Sequence, residues 1–505
     1  MTNLSIIPFK TWLLLLAVGI LMFLMNIDYT AVNLTLAPIS QELGSDLNTL
    51  QWLLSGYVLI WGAFVIPAGR IADIYGRRNT LITGLIIFMF GSAVVGIGHN
   101  VTMLIAGRVI QGFGAAIFTA PCWAIIFTTA PKDKQGLVMG IMMLFSSAGL
   151  AIGPTLGGYI IEAWEWRWIY YINLPIGMVI IGILLSVVKN ERENDAISID
   201  FIGSCLLASG LCLLVFCINQ VEIWSISSPK LWLTLAVSLG ILFAFFARDG
   251  KLTNPMLPHY VLRNKAFMSC AISCSLMSMV FSAVIVLIGL YLQNAKEFSS
   301  YKTGIVFFAM TVSMGALSPF GGSLVDRFGV RTPMIFTTIF AAIGVGIAAF
   351  FDTGTDLYII ITALFLTGIG IGGFFTAGNI AMMRSVQSQD INISSAVYTM
   401  AMMLGNTISV ILSTSLLVLF GRDKIVDKLN AQGIEAGTDI TAFLFEAIAR
   451  PAPNLEQMQK AFPEQATTLF HILKSSFVES FSMNMLGVTG LAILALLTVV
   501  RGIKD

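Results

Sequence analysis

What this chain has little of is charge. Asp, Glu, Lys and Arg together make up 11% of its 505 residues, against 57% hydrophobic residues and a mean hydropathy of +0.87. A water-facing surface cannot be assembled from that inventory, so the solvent is the bilayer. The formal net charge is +1 with no long run of one sign, which excludes a nucleic acid or another polyanion as partner. Histidine is scarcer still: His99, His259 and His471 are scattered at loops. With no grouping of nucleophile, base and orienting residue and no metal-ligand cluster, the chain reads as a non-enzyme without metal or cofactor. A phosphate-cradling P-loop is missing too, which removes ATP as the energy source.

Cysteine is also sparse. Cys122, Cys205, Cys212, Cys217, Cys270 and Cys274 all fall inside apolar stretches, which speaks against disulfides. Cys270 and Cys274 share a helical face, but two thiols without His or carboxylate neighbours do not make a metal site.

What is abundant is long apolar runs. Numbered in chain order, they lie near 11–35, 49–68, 79–98, 102–126, 136–163, 168–188, 201–219, 231–247, 266–292, 303–325, 332–351, 357–383, 391–420 and 476–500. Most are close to the ~20 residues that a helix needs to cross the hydrocarbon core. Lipid offers no partner to an open strand edge, so these runs predict about fourteen transmembrane helices and an all-α membrane protein. Lys10 before the first run resembles the start of a signal peptide, but the run continues past Met25 to an acidic residue and reads as an uncleaved helix.

Basic residues give the orientation. With the amino terminus inside, the inner connections collect Lys10, Arg70, Arg77, Arg78, Lys132, Lys134, Lys189, Arg192, Arg248, Lys251, Arg263, Lys265, Arg327, Arg331, Arg384, Arg501 and Lys504. The outer ones collect only Arg167, Lys230, Lys296 and Lys302. The bias predicts that both termini are cytoplasmic.

One connection occurs twice. GRIADIYGRR, from Gly69 to Arg78, returns as GSLVDRFGVR, from Gly322 to Arg331, each between two apolar runs. A membrane unit built twice is the pattern of a transporter. The second copy begins about 253 positions after the first, where a plain tandem of compact six-helix units would place it nearer 200. The surplus, roughly Ile199 to Arg263, holds runs 7 and 8. The organisation is therefore a six-helix bundle over 1–190, two inserted helices over 199–250 and a second six-helix bundle over 264–505, the last carrying an external hairpin or loop at 421–475. Within that polar stretch, Ile440 to Ala449 and Leu455 to Phe462 have the pattern of short amphipathic helices, separated by a turn at Pro451 and Pro453.

In the first loop the glycines permit a tight turn, and Asp73 can accept from helix-terminal N–H groups or pair with Arg77 or Arg78. Such a loop can latch one bundle to the other. On run 5, Gly149, Gly153 and Gly157 recur every four residues with Pro154 and Gly158 beside them, predicting a close, bent helix contact.

Together these segments resemble the major facilitator superfamily. Gly69, Ala72, Asp73, Gly76, Arg77 and Arg78 look like its cytoplasmic signature, and Gly322, Asp326, Arg327, Gly329 and Arg331 like the second-half echo. NIDYTAVNLTLAP (Asn26 to Pro38), GRVIQGFGAA (Gly107 to Ala116), GLAIGPTLGG (Gly149 to Gly158), WRWIYYINLPIG (Trp166 to Gly177), IDFIG (Ile199 to Gly203) and NPMLPHYVLRNKAF (Asn254 to Phe267) are similar to EmrB/QacA-type fourteen-helix drug/proton antiporters. The resemblance implies the major facilitator fold, two pseudo-symmetric six-helix bundles plus two inserted helices, in a bacterial inner membrane. It also implies export rather than uptake, from the run 5 glycine pattern. Ile74 departs from the pattern, which usually has a basic residue there. Some exporters of this type work with a periplasmic adaptor protein, a partner the resemblance leaves open.

Asp28 on run 1 and Arg108 on run 4 are the candidates for proton coupling. Charges inside the bilayer cost about 2.5–3.5 kcal/mol on insertion scales and normally pair or face water. Both sit roughly 10 Å below the outer surface by residue count, so they are placed to meet. Arg108 favours an ionised Asp28 and desolvation a protonated one, so modest movement can change which state wins. A substrate cavity is expected near the midplane between the halves. Its candidates are Asn26, Asn33, Tyr57, Trp61, Gln111, Met142, Met143, Phe145, Asn379, Met402, Met403 and Asn406, because Met and aromatic side chains adapt to varied apolar molecules. The function expected is proton-driven efflux of small amphipathic, including cationic, drugs, dyes or biocides by alternating access. Export of one metabolite or siderophore, proton-coupled import, and a membrane sensor without flux are the other readings.

Overall fold

The computed structural model describes residues 7–45, 47–188, 200–224, 228–252, 255–432, 438–447, 458–460, 462–463, 465 and onward to 503. Among the described residues, fourteen helices are long and apolar enough to cross a membrane. They are α1 (Phe9–Leu43), α2 (Trp52–Tyr75), α3 (Arg77–Gly96), α4 (Val101–Thr129), α5 (Gln135–Ala163), α6 (Asn173–Val187, preceded by a short turn at Trp168–Tyr171), α7 (Phe201–Asn219) and α8 (Pro229–Asp249). After a short helix at His259–Arg263 come α9 (Lys265–Asn294), α10 (Ser300–Ala316, continued as Ser318–Phe328), α11 (Arg331–Ala348), α12 (Leu357–Arg384), α13 (Ile391–Ala431) and α14 (Ala466–Gly502).

Local chemistry sets the ends. Asn100, Asp200 and Asn264 accept backbone N–H groups in the first turns of α4, α7 and α9, relieving donors that have no partner within the helix. The helices before the two copied loops stop at Gly76 (φ 86°) and Gly329 (φ 75°), a backbone region that side chains disfavour. Both copies thus turn at the same place for the same steric reason. Pro319 interrupts α10 after Leu317 by removing a backbone donor.

The two halves repeat one packing scheme. α1 packs on α5 as α9 packs on α13, α3 on α4 as α11 on α12, and α2 on α4 as α10 on α12. Between the halves, α2 meets α13 and α5 meets α10, which are equivalent pairs under the repeat. The inserted α7 and α8 pack on each other, and α7 lies against both α2 and α13.

The outer segment differs from the sequence expectation. α13 runs on to Ala431 and α14 starts at Ala466, so about a third of the 421–475 stretch is a continuation of membrane helices rather than loop. At 41 residues, α13 is roughly 60 Å long, twice the hydrocarbon thickness. Its projecting turns are held by ion pairs of Lys424 (3.2 Å) and Lys428 (2.7 Å) to Glu479. A helix occurs at Thr438–Ala447, close to the expected 440–449. Of the second expected helix, only 458–460 and 462 are described, with Phe462 against Phe443 at 5.3 Å between ring centroids; Pro451 and Pro453 lie outside the described residues. α1 likewise runs eight residues past the apolar run, to a tip where Glu42 accepts from Arg167 (2.6 and 2.9 Å) and Trp166 (2.8 Å).

Candidate functional site

Asp28 and Arg108 meet. α1 and α4 bring Arg108 Nη1 to 2.6 Å from Asp28 Oδ2, with both side chains wholly shielded. Three donors converge on the one carboxylate: Arg108, Gln111 Nε2 at 3.0 Å and Asn173 Nδ2 at 3.2 Å, the last two on Oδ1. Arg108 is held in turn by Gln111 Oε1 at 2.7 Å and by the Leu53 carbonyl at 2.9 Å, with its guanidinium 4.3 Å from the Tyr57 ring centroid. Ser92 accepts from Asn173 (2.8 Å) and Gln111 (3.3 Å) and donates to the Tyr170 carbonyl (2.8 Å). Five segments of the first half, α1 to α4 and the entry to α6, therefore supply one buried polar network. A buried ion pair is costly unless its remaining lone pairs and protons are satisfied, and this shell nearly does so; Arg108 Nη2 and the hydroxyls of Tyr57 and Tyr170 are left open.

Sequence reasoning missed two members of this network. Asn173 lay inside a quoted motif, but its amide was not separated from its apolar neighbours. Ser92 gave no signal, because a lone Ser in an apolar run is ordinary. Two of the residues expected in a substrate cavity, Gln111 and Tyr57, belong instead to this charged site.

The loops form two contacts between the halves on the face that carries both termini. In the first, Asp73 is 3.6 Å from Arg70 and accepts from Asn392 of α13 at 2.6 Å. Arg77 and Arg78, the partners expected from the sequence, bond elsewhere: Arg77 donates to Thr128 (3.0 Å) and Arg78 to the Val188 carbonyl (3.1 Å). Arg70 succeeds because it lies one helical turn from Asp73 on the same face. Asp390 is also buried, takes a hydrogen bond from Tyr260 and faces Arg70 at 3.9 Å. Burial and this carboxylate hold the Tyr260 phenol well up, at about 12. In the second contact, Asp326 accepts from the backbone N–H groups of Gly136 (2.8 Å) and Leu137 (3.0 Å) at the start of α5 and lies 3.6 Å from Arg384. This is the favourable placement of a carboxylate at a helix N-terminus. Arg327 is exposed, and Arg331 donates to the Val500 carbonyl at 3.2 Å. Gly69, Gly136 and Gly322 mark the closest approach: a Cβ on Gly136 would sit 1.9 Å from the Gly322 carbonyl oxygen, and one on Gly69 3.0 Å from that of Asn392.

On α5, Gly149, Gly153 and Gly157 face α1. A Cβ at Gly153 would sit 1.9 Å from Thr30 Oγ1, so the two backbones approach as the four-residue spacing predicts. A Cβ on Gly158 would be in ordinary contact with Leu34 at 3.9 Å, and the side chain of Pro154 lies outside the described residues.

The remaining cavity candidates separate into groups. Asn26 is tied across to Ser146 (3.0 Å), and the Phe145 ring fills the space beside Gly19, so both belong to the α1/α5 contact. Asn33 is exposed on α1. Met403 lies over Gly62 and, with Val58, Leu211, Val215 and Thr407, lines a small apolar crevice between α2, α7 and α13. Met142 and Met143 are buried in the core shared by the two halves, with Met402 packed against it. Trp61 Nε1, Asn406 Oδ1 and both amide atoms of Asn379 are buried without a hydrogen-bond partner. Such atoms are unusual in a folded interior and mark where a polar ligand group or water would be accommodated.

Burial also divides the molecule by depth. One core joins residues of both halves on the terminus side, including Met142, Met314, Phe374 and Tyr398. Towards the other face the halves have separate cores, one around Ile27, Leu53 and Tyr170 and one around Leu287, Val345 and Phe481. The halves are pressed together at the loop end.

The sequence matches the profile of the Major Facilitator Superfamily over residues 18–409 and 270–500. The chain belongs to that family. This facilitator is 27% identical over 401 residues to multidrug resistance protein Stp of Mycobacterium tuberculosis (strain CDC 1551 / Oshkosh), covering 78% of the chain and 74% of that protein. It is 23% identical over 478 residues to the tetracenomycin C resistance and export protein of Streptomyces glaucescens, covering 94% and 88%. The crystal structure of the human organic anion transporter MFSD10 (TETRAN) shares the fold, with a TM-score of 0.59 over 97% of each chain at 12% identity. The chain is an integral, multi-pass membrane transporter, not an enzyme.

Proposed function

We propose that this facilitator exports small amphipathic compounds, including cationic drugs, dyes and biocides, in exchange for protons, working in a bacterial inner membrane with both termini cytoplasmic. The observation that carries the reading is the fully buried Asp28–Arg108 pair, with three donors aimed at one carboxylate. A proton arriving at Asp28 cancels its charge and weakens its hold on Arg108, which keeps the Leu53 carbonyl, Gln111 and the Tyr57 ring as alternative partners. Helices α1 and α4 are then free to shift relative to one another, which is how a local charge change becomes a rocking of one half on the other. The proton gradient supplies the energy. The similarity to a multidrug resistance protein and to a tetracenomycin C resistance and export protein supports export.

The test is transport in proteoliposomes under an imposed pH gradient, with a panel of cationic dyes and biocides. Wild type is expected to move substrate against proton entry. Asp28→Asn is expected to bind but not to respond to the gradient; gradient-driven flux in that variant removes Asp28 from the mechanism.

A further inference from the structure

On the terminus side, Asp73 meets the other half through one hydrogen bond, from Asn392 Nδ2 to Asp73 Oδ1 at 2.6 Å. Both side chains are buried, at 3% and 0% exposure. The other oxygen of each, Asp73 Oδ2 and Asn392 Oδ1, is also buried and has no hydrogen-bond partner. Both of these are acceptors, so neither can satisfy the other, and leaving two buried acceptors without a donor costs stability. A single proton on Asp73 cures both defects. The neutral acid donates its O–H to Asn392 Oδ1 while Oδ1 of Asp73 goes on accepting from Nδ2, giving the two-bond ring of a carboxylic acid with a carboxamide. An ionised carboxylate is acceptor-only and can make just the one bond observed.

We propose that Asp73 and Asn392 form a second proton-binding site, placed at the contact between the halves, where the proton joins α2 to α13 and its departure loosens them. The groups that face the site pull in opposite directions. Arg70 Nη1 stands 3.6 Å from Asp73 and 3.9 Å from Asp390, shared between two buried carboxylates and bonded closely to neither. Arg77, on α3, is a second positive charge near Asp73, and Asp390 is a negative one. Tyr260, from the short helix after the inserted pair, donates to Asp390, whereas the open oxygen of Asp73 has no such donor. The proposal needs only that the halves separate at this contact; it goes beyond the role given to Asp28.

Hydrogen exchange of the full-length protein in liposomes, at several pH values and corrected for the intrinsic pH dependence of exchange, tests it without any transport assay. Protection of segments 66–76 and 388–398 is expected to fall as pH rises, by up to about tenfold per pH unit, the slope of one linked proton. Asp73→Asn, whose amide reproduces the neutral acid's donor and acceptor, is expected to stay protected at every pH. Asn392→Leu is expected to be unprotected and to lose the slope. Asp28→Asn is expected to keep the slope, which separates this site from the Asp28 reading. Loosening of the contact by Asp73→Asn at all pH values, an unchanged slope in Asn392→Leu, or loss of the slope in Asp28→Asn would each overturn the proposal.

Discussion

A carboxylate with three donors aimed at it is a different object from an exposed acid, and its neighbours depend on it unequally. Removing Arg108 leaves Asp28 buried without its counter-charge, a change that typically destabilises by about 3–5 kcal/mol. Arg108→Leu is therefore expected to lower the thermal unfolding midpoint in detergent sharply. Asp28→Asn keeps size and one acceptor but leaves the buried Arg108 charge unanswered, so it is expected to lower the midpoint as well. A second pair lies in water: Arg167, followed by Trp166, holds the Glu42 carboxyl below its usual range. A depressed folded value means that the pair adds stability above the unfolded value and loses it as pH falls through the folded one. Glu42→Gln is accordingly expected to lower stability slightly at neutral pH and to match wild type at acid pH below the folded value, which flattens the acid limb of the profile. The effect is small, because Glu42 is 43% exposed and solvent screens the pair.

Among helices, the closest approaches are made by glycine, and each is a test of geometry. Gly136 and Gly322 touch backbone to backbone across the halves, so a methyl group at either cannot be housed in this conformation. Gly136→Ala is expected to open the α5/α10 contact, raising hydrogen exchange over 133–140 and 320–328, while Gly182→Ala, with open space around it, changes nothing. Much at this scale was legible beforehand. The fourteen runs, the repeated loop, the glycine face of α5 and the meeting of Asp28 with Arg108 all follow from periodicity, composition and depth. The helical extensions of α13 and α14 were not legible, because polar turns outside the bilayer look like loop when apolar content is the signal. Nor was Asn392, whose neighbours in sequence say nothing of Asp73 319 residues away.

Taken whole, the molecule is pinched at one end: a shared core and two latches on the terminus side, separate cores on the other. Under the proposed orientation, with the termini in the cytoplasm, this arrangement is open to the outer side. Asn33, exposed on the outer part of α1, is expected to accept a membrane-impermeant maleimide as Asn33→Cys in right-side-out vesicles, above the background of wild type. Labelling only after the vesicles are inverted would reverse the orientation. The sequence by itself determined the solvent, the helix count, the duplication and the existence of a buried charge pair, because these rest on hydrophobicity and spacing, which act locally along the chain. Tertiary structure decided which donors surround Asp28, that Asp73 is answered by Arg70 and by Asn392 of the other half, and which face is closed. Those depend on distances between helices far apart in sequence, set by how side chains fill the space between them.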